Sequence, residues 1–290
     1  MRDYVILTDS NADLTPELEK ELNVGVFPME FTVEEQTYFN YPDERDLSSK
    51  TFYKMLRDGK NSKTVQGNST RFCEFFEPYL KEGKDIVYIA FSSGLSGTYH
   101  SSTMAKKELL EKYPDRQIFI SDSLAASMGE GLLGYHAVQQ QCEGKTAEEV
   151  YQWVEENKLH LCHWFTVEDL YFLKRGGRVS AATALVGTML GIKPVLHVDD
   201  EGHLINVSKA RGRRQSLLAL VENMEKTCIR PEQQVVFISH GDCGEEAHWL
   251  AGQVKQKLHV KEVKIGYIGP VIGSHSGPGT VALFFLGQKR

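Results

Sequence analysis

Short runs of apolar, β-branched residues end repeatedly in polar turns and are followed by segments of helical period. That pattern produces parallel strands joined by crossover helices. In the first half Tyr4–Leu7, Asp85–Phe91 and Gln117–Ile120 read as buried strands. Helices are expected at Thr15–Glu21, at Thr98–Lys112 and from about Leu124 to Gln141, and Thr146-Ala-Glu-Glu149 opens another with capping-box chemistry. The second half changes character. Pro194–Val198 and His203–Lys209 read as strands of a hairpin turned at Asp199-Asp-Glu-Gly202, which brings in antiparallel pairing. Strands at Val235–Ser239, Val263–Ile268 and Thr280–Leu286 and a helix at Glu245–Leu258 complete it. The expected fold is α/β in two domains, with the boundary near Lys158. An α/β/α parallel-sheet domain spans residues 1–158, and an α/β domain with a mixed sheet spans residues 159–290. The polar stretch from Val33 to Lys63, with a helix near Ser48–Arg57, is too long for a crossover loop and suggests a lid or small subdomain.

Composition narrows the function classes. With 41% hydrophobic and 25% charged residues in 290, the chain can build its core without staples. A net charge of −6 argues against a nucleic-acid partner, which calls for a broad excess of Lys and Arg. Five cysteines, an odd number with no Cys-x-x-Cys pair, suggest reduced thiols rather than a disulfide framework or a zinc ribbon. The apolar run Tyr4–Leu7 is too short for a secretory segment, and no run approaches the roughly 18 residues of a membrane span. A cytoplasmic protein is expected.

Candidate chemistry concentrates at strand ends. Ser92-Ser-Gly-Leu-Ser-Gly-Thr-Tyr99 follows an apolar strand and precedes a helix, so hydroxyls and free N–H groups converge where a carboxylate or phosphate is favoured. Simple N-capping by Ser96 or Thr98 is the plainer explanation of the same residues. The segment is not a Walker loop, because Thr98 stands where the lysine should follow the glycine. Gly94-Leu-Ser96-Gly-Thr98 lacks only the last glycine of a nucleophile elbow. A serine hydrolase using Ser96 and His275, with Asp169 or Asp242, is therefore the alternative reading. Thr8-Asp-Ser10 and Asp122-Ser123 end other strands at the same sheet edge. Asp9 and Ser10 are expected to frame the site, Asp13 or Thr15 to cap the helix from Pro16, and Asp122-Ser123 to serve turns.

Lys174-Arg-Gly-Gly-Arg-Val-Ser180, between two helical patterns, and Lys209-Ala-Arg-Gly-Arg-Arg214 are basic clusters on an acidic chain. Each is a candidate surface for a partner or an anionic membrane. His160, Cys162 and His163 suggest metal ligands, but strand alternation puts His163 opposite the other two, and a core-edge strand is the expectation. Gly269–Gly279 has the composition of a fixed nonregular loop displaying His275. No metal site is expected.

Six segments, in order along nearly the whole chain, resemble the DegV family. They are Thr8-Asp-Ser10, Ser92–Tyr99, Asp122-Ser123, Gly176-Gly-Arg-Val-Ser180, Ile192-Lys-Pro-Val195 and Gly273-Ser-His-Ser-Gly-Pro-Gly279. The resemblance implies a long-chain fatty acid held between two domains, its carboxylate bound by Ser96 and Thr64. It also implies delivery of that acid to a fatty-acid kinase subunit, a step for which Arg211 and His275 are the matching residues. This chain would then carry neither a cofactor nor catalytic residues. One departure stands out: Thr64-Val-Gln-Gly67 replaces the family's usual Thr-Ser-Gln-Pro, removing one hydroxyl and the stiffening proline.

Overall fold

The first apolar runs do form a parallel sheet. In this computed structural model, which describes residues 2–180 and 191–290, strands β1 (Tyr4–Asp9), β2 (Gly25–Phe27), β6 (Asp85–Ala90) and β7 (Ile118–Asp122) lie in the order β2-β1-β6-β7, all parallel. From β1 the chain steps to β2 on one side and later to β6 on the other. The crevice past the ends of β1 and β6 is thus a topological switch point, the place where open α/β sheets bind ligands.

In the polar stretch the helix expected near Ser48–Arg57 is present as α2 (Ser49–Arg57), and the structure adds strands that the sequence reading did not contain: β3 (Met29–Val33), β4 (Gln36–Asn40) and β5 (Ser62–Val65) pair antiparallel in the order β4-β3-β5. Only one face of this small sheet is covered, so β4 and β5 read as polar, and their burial alternates or is sparse.

Helix α1 (Pro16–Leu22) starts as the sequence suggests, capped by Thr15 with Pro16 in its first turn. Helices α3 (Ser69–Lys81), α4 (Thr98–Lys112), α5 (Met128–Cys142) and α6 (Ala147–Asn157) follow, the last opened by the Thr146–Glu149 capping box. Strands β8 (Leu161–Thr166), β9 (Ile192–Val198), β10 (Leu204–Arg211), β11 (Val235–His240), β12 (Glu262–Tyr267) and β13 (Val281–Leu286) form a mixed sheet, β10-β9-β8-β13-β11-β12. Its outer face is covered by α8 (Arg213–Thr227) and α9 (Gly244–Leu258). A short helix, α7 (Tyr171–Arg175), precedes the basic turn; the helical pattern expected after Ser180 falls outside the described residues. The β9–β10 turn places Gly202 at φ +80°, as its composition requires.

Two expectations fail here. Strand β8 is the third of six, not an edge, and His160 lies just before it. The glycine-rich segment near the C-terminus is not a nonregular loop: Pro270–Ser276 forms helix α10, with Pro270 at its start and Gly277 at φ +78° at its end.

Helix α5 lies between the two large sheets, touching β1 and β6 on one side and β8, β11 and β13 on the other. Glycines allow that approach, since a Cβ at Gly129 would stand 2.8 Å from Phe284 and one at Gly131 2.8 Å from the Ala12 carbonyl. Leu132, Leu133, Phe165, Phe237 and Phe284 join in the core around it. The helix also carries Glu130, fully buried, which accepts a 2.7 Å hydrogen bond from Thr8 while Oε2 has none. Burial, then Asp9, pushes its pKa well up. A carboxyl whose folded pKa is raised favours folding below its unfolded pKa and loses that contribution as pH rises. Glu130→Gln should therefore leave the melting temperature at pH 5 nearly unchanged and raise it at pH 9. A melting temperature lowered equally at both pH values would contradict this.

Candidate functional site

Past the end of β6 the chain turns through Phe91–Gly97 into α4, and a network of side chains fixes that turn. Asp9, fully buried, accepts from the Phe91 amide (3.2 Å) and the Tyr88 hydroxyl (2.8 Å). Asp122 accepts from the Ser93 amide (3.0 Å), and Ser92 donates to the Gly202 carbonyl of the β9–β10 turn (3.0 Å). Asp9 and Asp122 therefore frame the site rather than line it, while Asp13 accepts from the Gly269 amide (2.9 Å) and so holds the start of α10.

No side chain caps α4. Its N-cap is Gly97, and Ser96 instead pairs with Thr98 Oγ1 (2.9 Å) and accepts weakly from the Thr98 amide (3.3 Å). The positive end of the helix dipole thus lies beside the Ser96 hydroxyl, with the Gln66 side chain packed on Gly97. Facing it is Thr64 on β5, whose Oγ1 lies 2.8 Å from His275 Nε2 on α10. The other ring nitrogen of His275 is buried with no hydrogen-bond partner among the described residues. The ring packs so closely on Gly176 that any Cβ there would overlap Nδ1. Burial, with Arg178 and Arg175 nearby, pushes the His275 pKa down to about 4, so the imidazole is neutral at pH 7.

Arg178 completes the polar group. Its Nε donates to the Leu95 carbonyl (3.2 Å) and its Nη1 to the Gly176 carbonyl, and no ion pair with an acidic side chain forms among the described residues. Thr64, Ser96, Arg178 and His275 lie at one cavity of about 340 Å³, whose remaining walls are mostly apolar: Met29, Phe91, Leu95, Phe165, Val271 and Ala282 among them. The walls come from the ends of β1 and β6, from β5, from α10 and from strands β8 and β13, so both halves of the chain build it. One end can hold a carboxylate by hydroxyls, a helix terminus and a guanidinium, and the rest can take an apolar chain.

A family model described as "Uncharacterised protein, DegV family" matches residues 3–288. The chain belongs to the DegV family. A DegV domain-containing protein of Clostridium perfringens is 49% identical over 100% of this chain and 99% of its own length. Among solved structures, a DegV-family protein from Thermus thermophilus reported for its fatty-acid binding superposes with a TM-score of 0.89 at 28% identity, covering 99% of this chain and 100% of that one. The Streptococcus pneumoniae Fatty Acid Kinase (Fak) B3 protein, loaded with linoleic acid, superposes with a TM-score of 0.86 over 99% of this chain and 100% of its own. At 20% identity that likeness is one of fold.

In this DegV chain, three of the four residues singled out by sequence, Thr64, Ser96 and His275, meet at the cavity, whereas Arg211 is exposed at the end of β10 and is not part of its lining. The hydrolase arrangement is not assembled. His275 Nε2 is engaged by Thr64, its Nδ1 meets no carboxylate, Asp169 accepts from the Tyr171 amide (2.8 Å) and Asp242 pairs with Arg57. Without an oriented base, Ser96 is not activated as a nucleophile. Motif reading missed Arg178 and His163 as cavity residues. For Arg178 the signal existed, since the basic turn was flagged, but nothing in its sequence tells which of its cations turns inward. No helix among the described residues is long and apolar enough to cross a membrane, and no group of His, Cys, Asp and Glu among them could hold a metal ion.

Proposed function

We propose that this DegV protein binds a long-chain fatty acid between a domain of residues 1–158 and a domain of residues 159–290, and presents its carboxylate to a fatty-acid kinase. The chain itself performs no chemistry and works in the cytoplasm. One observation carries the reading: a largely apolar cavity is lined by Ser96, Thr64, Arg178 and His275, with Thr64 bonded to His275 and Arg178 bonded to the carbonyl of the residue before Ser96. Burying about 16 carbons at ~0.8 kcal/mol each gives on the order of 12 kcal/mol before ordering and association costs. Hydrogen bonds to the charged head add only ~1.5–3 kcal/mol each. The tail thus supplies affinity and the head supplies register. The exposed cations Lys174, Arg175, Lys209, Arg211 and Arg214 offer a docking face for the kinase or a transient contact with an anionic membrane.

Native mass spectrometry of the purified protein tests the reading directly, because a carrier should come out of the cell with a stoichiometric fatty acid that organic extraction releases. A covalent Ser96 adduct with a fluorophosphonate probe would turn the assignment back toward a hydrolase. Within this scheme, Ser96→Ala should weaken fatty-acid binding by about tenfold to a hundredfold, the worth of one hydrogen bond to a carboxylate. Calorimetric titration of the delipidated variant checks it, and an unchanged affinity together with an unmoved headgroup would remove Ser96 from the site.

A further inference from the structure

The carboxylate end does not use all of the cavity's polar chemistry. On β8, an element that carries none of those four residues, His163 lines the same cavity. It is almost wholly buried, at 4% exposure, between Phe284 (ring centroids 4.5 Å) and Phe165 (5.5 Å). No hydrogen bond reaches either ring nitrogen among the described residues, and Nδ1 is fully enclosed without a partner. His163 stands on β8 between two phenyl rings, whereas His275 stands on α10 against Thr64 and Gly176, so the two imidazoles occupy different places in the cavity wall. Asn11 and Ser276 also line the cavity, and each has a buried oxygen that no group among the described residues hydrogen-bonds: Oδ1 and Oγ, respectively.

A cavity meant for a bare polymethylene chain has no use for a buried imidazole in its apolar wall, where each unmet hydrogen bond opposes folding and is better replaced by a phenyl ring. Burial holds the His163 pKa well below its ordinary value, so the ring is neutral, with one nitrogen donating and the other accepting. Nδ1 is enclosed by protein, which leaves Nε2 to meet a ligand, and a hydroxyl, able to donate or accept, serves Nε2 in either tautomer. We infer that the preferred ligand is a long-chain fatty acid bearing a hydroxyl along its chain, and that His163 receives that hydroxyl. This rests on the acyl-carrier reading and specifies the substrate class of the same site.

The test is a binding series on delipidated protein with octadecanoic acid and a set of hydroxyoctadecanoic acids differing only in hydroxyl position. One isomer should bind about fivefold tighter than its positional neighbours, the worth of one well-placed hydrogen bond. His163→Phe should erase that preference while binding the unsubstituted acid at least as well, and His163→Gln, which keeps a donor and an acceptor, should retain part of it. Melting curves show whether each variant is folded. If every isomer binds more weakly than the unsubstituted acid, with no positional preference, and His163→Phe shifts all ligands alike, the imidazole is packing only and the inference falls. If neither plain nor hydroxylated acids bind the wild-type protein, the carrier reading itself falls and takes the hydroxyl site with it.

Discussion

With His275 replaced by alanine, the protein should keep its fatty acid and lose about 100-fold in acyl-phosphate formation once a fatty-acid kinase is supplied. The asymmetry follows from where the ring sits. His275 bonds to Thr64 among the polar groups of the cavity, so on the proposed carrier function it would meet the head and add nothing to burial of the tail, which would dominate affinity. Phosphoryl transfer is more demanding, because the carboxylate oxygen must be held in line with its donor and its charge managed throughout. The imidazole is pre-set for that task. Gly176 leaves just enough room for the ring, and its burial, with two arginines beside it, keeps it neutral until a carboxylate arrives. An arriving anion favours the protonated ring and so couples occupancy to charge at the head. Extraction and quantitation of bound lipid, alongside kinase turnover at saturating acid, separate the two roles. A variant emptied of lipid but normal in turnover would make His275 a simple clamp.

Much of the fold was legible because local chemistry and global architecture agree at the elements concerned. Helix α4 begins at Thr98 and ends at Lys112 as its period indicates, and the Thr146–Glu149 capping box and the Gly202 turn are formed as their residues require. The small sheet was missed because strands such as Gln36–Asn40 and Ser62–Val65 are short and half-exposed, and their burial is decided by α2 and by neighbours far along the chain. Helix α10 was missed for a different reason. Its glycines and proline were read as loop makers, when Pro270 and Gly277 are the boundary marks of a short helix.

The site divides along the same line. Ser96 and His275 could be singled out by motif because each sits beside an element end where local sequence is distinctive, whereas Thr64 was reached only through the family resemblance. Arg178 and His163 could not, since both depend on which way a side chain faces in three dimensions. Alternation along β8 does put His163 opposite Cys162, and Cys162 does pack in the outer core with α8 and α9. What alternation could not say is that the other face of β8 borders a cavity. Arg211 shows the converse: family resemblance marks it, but the fold leaves it on an exposed edge strand, where a role must involve a second protein or a surface.

Ala282→Phe should be the most damaging single change to fatty-acid binding. Ala282 lies on β13 opposite Phe165, is 2% exposed and lines the cavity from the mixed sheet. A phenyl ring there projects into space that the acyl tail would fill. If it displaces roughly four methylenes, the loss is about 3 kcal/mol, or about 200-fold in affinity. That exceeds the cost expected from Ser96→Ala, and it should depend on chain length in a way that loss of a head contact does not. Decanoic acid, which does not reach so far, should lose little, whereas hexadecanoic acid should lose nearly the full amount. Ala282→Leu should fall between wild type and Ala282→Phe, and cooperative melting of each variant shows that the sheet has accepted the larger side chain. Equal losses for the short and long acids would mean that the tail does not run along β13, and the path of the acyl chain through the cavity would have to be redrawn.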